Sequence, residues 1–154
     1  MNKGMTFHNR FLSYLIVIFY LMMLNSCDGF HVSANGDLDG MWHIVEVDSL
    51  VEEKQVDYTY EGLYWSVQSD LLFVDDKLQR YLPCLFRFRH DGENLIVNAP
   101  HYYNLEDVEE KITDVGVYSP YGINSDEESF IVEQLTGKSM ILRSKLLRLK
   151  FKRY

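Results

Sequence analysis

FIVEQLTGKSMILRSKLLRLKF, residues 130–151, decides how this chain folds. Three runs of β-branched, aromatic and aliphatic residues follow one another there: Phe130 to Leu135, Met140 to Arg143, and Leu146 to Phe151. Only Thr136-Gly137-Lys138-Ser139 and the tight connection at Ser144-Lys145 separate them. Strands joined so closely return antiparallel to one another. The same grammar extends toward the N-terminus. Met41 to Val47 reads as the first strand, and an acidic break follows at Val51 to Asp57. Tyr58 to Gln68 and Leu71 to Val74 are two further extended runs. Leu85 to Arg89 alternates, and Asp91-Gly92 turns it into Leu95 to Val97, a strong hairpin signal.

Between Pro100 and Gly122 the pattern changes. Leu105 to Ile112 has apolar positions suited to two helical turns, and Val115 to Tyr118 reads as a short strand. Ser119-Pro120-Tyr121-Gly122 then turns the chain back from this long excursion. Eight or nine short strands with close turns and at most one short helix make an all-β antiparallel barrel or sandwich. Closing such a meander into a barrel removes its exposed edges.

The N-terminus reads as an address. Residues 1–26 carry only Lys3 and Arg10 as charges and run apolar from Phe11 to Leu24, which is the form of a cleaved secretory signal. Leu24-Asn25-Ser26-Cys27 resembles the lipobox of bacterial lipoproteins. That resemblance implies cleavage before Cys27 and acylation of its thiol, with each buried methylene adding about 0.8 kcal/mol to membrane affinity. Residues 27–36 then form a small, polar tether with a reach of about 20 Å, and residues 37–154 form one domain.

Without the first 26 residues the chain holds 13 Lys and Arg against 23 Asp and Glu. So acidic a surface repels phosphate and argues against nucleic-acid binding. The last twelve residues nevertheless carry Arg143, Lys145, Arg148, Lys150, Lys152 and Arg153 and no acid; their alternation with Leu147, Leu149 and Phe151 suggests the solvated face of a strand. With Cys27 acylated, Cys84 has no disulfide partner, and its apolar setting marks a buried, inert thiol.

Apparent sites are weak when weighed against the chemistry they need. Asn35-Gly36-Asp37-Leu38-Asp39-Gly40 followed by Glu46 has nearly the spacing of a calcium loop, but a tether precedes it and a strand follows where helices are required. Thr136-Gly137-Lys138-Ser139 mimics the end of a phosphate-binding loop, lacks the earlier glycine, and reads as a hairpin turn. His31, His43, His90 and His101 are scattered without metal-ligand spacing. The acid pairs Asp75-Asp76, Glu109-Glu110 and Glu127-Glu128 read as surface charge rather than as a catalytic pair across a cleft. The reading is therefore of a protein without catalysis, metal or cofactor.

Gly40-Met41-Trp42 at the start of the first strand resembles the Gly-x-Trp signature of lipocalins. From Asp37 to Tyr154 the chain is similar to short lipocalin-like lipoproteins of Gram-negative bacteria, notably at Tyr64-Trp65-Ser66-Val67-Gln68 and Pro120-Tyr121-Gly122-Ile123. The resemblance implies an up-and-down β-barrel of about eight strands in the cell envelope, lipid-anchored to the outer membrane. It also implies that Trp42 plugs one end beneath a basic residue, with Arg148 and Lys150 as candidates, and that a small apolar ligand occupies the other. Trp42, Trp65, Tyr64 and Phe88 are the candidate ligand contacts. The alternative is a barrel filled by its own side chains, serving as a structural or interaction module for an envelope protein.

Overall fold

The computed structural model describes residues 35–103 and 110–154. The expected signal segment, Cys27, His31 and most of the expected tether lie outside the described residues, as do residues 105–109 of the expected helical turns. The described strands are β1 (Gly40–Ser49), β2 (Lys54–Asp57), β3 (Leu63–Gln68), β4 (Leu71–Asp76), β5 (Cys84–His90), β6 (Asn94–Tyr102), β7 (Glu127–Leu135), β8 (Ser139–Arg143) and β9 (Leu147–Arg153).

From β3 to β9 each strand pairs antiparallel with the next, and β9 returns to β1 with Trp42 opposite Arg153 and Ser49 opposite Leu147. Eight strands, β1 and β3 through β9, thus close an up-and-down barrel. Period-two alternation fills it: in β3 Leu63, Trp65 and Val67 are buried, while Tyr64 and Ser66 are only half-buried on the other face. Trp65 lies at the centre, its ring 5.0 Å from Phe151 and 5.7 Å from Phe130, in the tilted and edge-on arrangements that aromatic quadrupoles favour.

β1 is shared between two partners along its length. Its residues 40–43 face 67–64 of β3, and its residues 46–49 face 57–54 of β2. β2 and β3 therefore fill one place beside β1 in succession, interrupted by the turn at residues 58–62. This corrects the sequence expectation twice. The acidic break at Val51 to Asp57 contains a strand, and the single run from Tyr58 to Gln68 is a turn, with Tyr60 89 % exposed, followed by β3.

Two further expectations change. Val115 to Tyr118 is no strand but the start of two consecutive 3₁₀ turns, Val115–Val117 and Ser119–Tyr121, with Asp114 accepting from the Gly116 N–H at 2.8 Å. Gly36, the last residue of the expected tether, already begins a 3₁₀ turn through Leu38. That turn, the β3–β4 turn and the β7–β8 turn lie together at one end: the Asn35 amide donates to Ser69 O at 2.6 Å, and Gly137 lies against Asp37. We call this the lower end. The opposite end, where β1 runs into β2 and the β6–β7 connection returns, is the mouth.

Candidate functional site

The lower end is closed by Trp42. Its ring is fully buried, and its indole N–H donates to Leu38 O at 2.8 Å, which ties the 3₁₀ turn beneath the barrel. A guanidinium does cover this ring, but it belongs to Arg153, 5.1 Å from the ring centroid, and not to Arg148 or Lys150. Register is the reason. Arg153 stands directly opposite Trp42, whereas Lys150 and Arg148 stand opposite Glu46 and Asp48, farther up β1 beyond the bulge at Val45. Arg153 also donates to the carbonyls of Asp37 and Asp39.

The mouth is occupied by the excursion that the sequence reading assigns to helical turns, a short strand and a closing turn. Ile112, Tyr118, Tyr121 and Ile123 are all fully buried. Trp65 donates its indole N–H to Tyr121 O at 3.0 Å, and Tyr118 packs edge-on against Phe86 at 5.5 Å. The hydroxyls find partners at the rim, Tyr118 donating to Asp126 at 2.8 Å and Tyr121 to Leu82 O at 3.1 Å. Burial raises both phenol pKa values, with the Asp126 hydrogen bond adding to the rise at Tyr118. The usable signal was Pro120-Tyr121-Gly122: an aromatic residue held between a proline and a left-handed glycine is fixed in direction.

The four candidate ligand contacts do not form one lining. Trp42 and Trp65 face each other across β1 and β3 inside the barrel. Phe88 packs against the core beside Val97 nearer the lower end. Tyr64 lies on the outer face, stacked on His43 at 4.6 Å and edge-on to Tyr154 at 5.4 Å. Cys84 is buried and its thiol is pushed up to about 12 by that burial, so it stays protonated near neutrality.

The remaining apparent sites resolve into structure. Glu46 pairs with Lys150 on the outer face, and Asn35 donates its amide to Asp39 and Ser69, so the oxygen ligands of a calcium loop do not converge. Among the described residues no three His, Cys, Asp or Glu side chains gather as metal ligands. The Thr136 hydroxyl accepts from the Lys138 and Ser139 amides, which makes the phosphate-loop mimic a hairpin turn. The basic ending is partly neutralised: on β9 Arg148 bonds Glu133 at 2.6 Å and Asp48 at 3.4 Å and Lys150 pairs with Glu46, while Arg143 of β8 bonds the other oxygen of Glu133 at 2.8 Å.

Two of the expected surface acids are buried. Glu128 accepts from the Asn124 amide and the Ser125 hydroxyl, at 2.9 and 3.0 Å, and so pins the return of the mouth segment into β7. Asp76 accepts from the Leu78 and Arg80 amides and the Arg80 guanidinium, which also bonds Glu61. Burial alone would raise the Asp76 pKa, but the Arg80 and amide hydrogen bonds outweigh it and hold it below the usual carboxylate range. A depressed folded-state pKa contributes stability above the unfolded value, about 3.9, that is lost as pH falls through the folded one. Asp76→Asn should therefore be less stable at neutral pH and show a shallower loss below about pH 4. An acid unfolding curve parallel to that of the wild type would contradict this assignment.

These features, a closed eight-strand meander with a buried Trp under an Arg at the end where a 3₁₀ turn enters, meet a matching sequence profile, that of the lipocalin-like domain, over residues 21–154. The chain belongs to the lipocalin-like domain family. No curated protein matches this lipocalin-like chain. Among solved structures it is similar to a lipocalin-like protein from Bacteroides uniformis, with a TM-score of 0.58 and 17 % identity over 77 % of this chain and 100 % of that one. It is also similar to an uncharacterized protein from Bacteroides eggerthii, with a TM-score of 0.53 and 19 % identity over 75 % of this chain and 98 % of that one. At such identities the likeness speaks for the fold. A lipocalin-like barrel is a binding type of domain, which is the coarse functional conclusion the family carries.

Proposed function

We propose that this lipocalin-like chain is a non-catalytic protein of the cell envelope, held on a membrane by lipid on Cys27, whose solid barrel docks a partner protein. The observation that carries the docking reading is the filled mouth: Ile112, Tyr118, Tyr121 and Ile123 are fully buried where a calyx would seat its ligand. A second reading, a small apolar ligand, is favoured by one feature. The filling comes from the β6–β7 connection and not from the wall, so its withdrawal would open space above Trp65 without breaking any pairing between strands of the barrel.

Native mass spectrometry after mild extraction separates the two readings. An unliganded mass is expected; a stoichiometric lipid or other apolar molecule would replace the docking reading with the calyx. Anchoring rests on Leu24-Asn25-Ser26-Cys27. Cys27→Ser is expected to leave the membrane fraction or to persist as unprocessed precursor. Processed, membrane-bound Cys27→Ser protein would overturn the anchor.

A further inference from the structure

The geometry points to the outer edge of β2 as the docking site, which takes an extended partner segment that alternates basic and apolar residues. This inference rests on the docking reading above. It starts from an unusual feature of this barrel: β2 pairs with β1 on one side and with no described strand on the other, and all four of its residues are exposed. Closure otherwise leaves such a meander without edges.

The phase of the ladder shows which backbone groups are on offer. The Tyr58 N–H donates to Val45 O at 2.9 Å, in the same register that pairs Val56 with Val47 and Lys54 with Ser49. In an antiparallel ladder, hydrogen-bonded and non-hydrogen-bonded pairs alternate. Lys54 and Val56 therefore turn their backbone groups to β1, as Tyr58 does its N–H, while Gln55 and Asp57 point theirs at solvent. An added strand would find donors and acceptors at two alternate residues. A four-residue edge, at about 3.4 Å per residue, suits a segment of about four or five residues.

The side chains select the segment. Asp57 stands directly opposite Glu46, and Gln55 opposite Asp48. Facing carboxylates repel across a strand pair. Glu46 is relieved by Lys150, whereas Asp57 pairs with no Lys or Arg among the described residues. One oxygen of Asp48 is buried there without a hydrogen-bond partner, beside a groove of about 330 Å3 that Gln55 and Glu53 help to line. The other face of β2 presents Val56, 38 % exposed. A segment with Lys or Arg on the face of Asp57 and an apolar residue beside Val56 complements both faces, and the carboxylates reject an acidic one.

The test is fluorescence anisotropy with a labelled peptide of alternating valine and lysine, added to the full chain in detergent. Saturable binding is expected, weakening as salt rises. Gln55→Pro removes an outward N–H and no bond to β1; it should weaken binding at least tenfold with little change in melting temperature. Asp57→Lys leaves the backbone intact and should weaken binding to a similar degree, which keeps the test decisive if the proline variant folds poorly. Absence of saturable binding, equal binding by Asp57→Lys, or equal binding of a valine–glutamate peptide would overturn the edge assignment. Such a failure with an unliganded barrel by native mass spectrometry removes this site alone. A bound apolar molecule removes the docking reading itself.

Discussion

Trp42→Ala is expected to destabilise the barrel by about 5 kcal/mol or more, out of a total that for a single domain is about 5–15 kcal/mol. Three losses combine. The ring is fully buried, and removing a buried Trp side chain costs about 3–5 kcal/mol once the residual cavity is included. Leu38 O loses the indole donor at 2.8 Å. An unsatisfied buried carbonyl costs about 1–3 kcal/mol where water cannot reach it. Finally, Arg153 loses the face over which it sits at 5.1 Å, a contact worth about 0.5–2 kcal/mol. The measurement is urea unfolding, with a lower midpoint and an unchanged slope. Arg153→Met, which keeps an apolar stem over the ring but gives up the bonds to the Asp37 and Asp39 carbonyls, is expected to lose only about 2–3 kcal/mol. If Trp42→Ala lost no more than Arg153→Met, the lower end would be closed by the 3₁₀ turn and not by the ring.

The elements readable from sequence are those whose burial is written in their own alternation. Leu63, Trp65 and Val67 announce the inner face of β3, and the three closing strands announce antiparallel pairing. β2 is not legible in the sequence because Lys54-Gln55-Val56-Asp57 buries nothing; its strand character comes from the backbone ladder with β1. The basic partner of Trp42 was misplaced because a bulge at Val45 and the register with β9 decide which cation arrives, and neither is encoded near Trp42. Asp76 and Glu128 read as surface charge because their donors, loop amides, the Ser125 hydroxyl and the Arg80 guanidinium, are brought to them by the path of the loops, which residue type does not encode. Tyr64 is different, since neighbours in a strand point to opposite faces. With Trp65 inward, Tyr64 has to face out.

The burial of the mouth segment was the least readable feature, and it decides between a solid barrel and a calyx. Gly122 gives access to it. This residue follows the 3₁₀ turn Ser119–Tyr121 at φ +82, and a Cβ there would stand 2.7 and 2.9 Å from the two methyl carbons of Leu149. Leu149 is itself fully buried and has little room to yield. Gly122→Ala therefore carries two penalties: about 1–2 kcal/mol for a left-handed backbone and about 1–3 kcal/mol for overpacking. Gly92, at φ +94 in the β5–β6 turn, has nothing within 4 Å of its Cβ position. Gly92→Ala pays the backbone penalty alone, so the difference between the two variants isolates the packing of the mouth. A difference of about 2 kcal/mol in Gly122→Ala's disfavour is expected by urea unfolding. Equal losses would mean that the segment lifts away from Leu149 when crowded, as a lid over a cavity would, and the balance would move to an apolar ligand seated above Trp65.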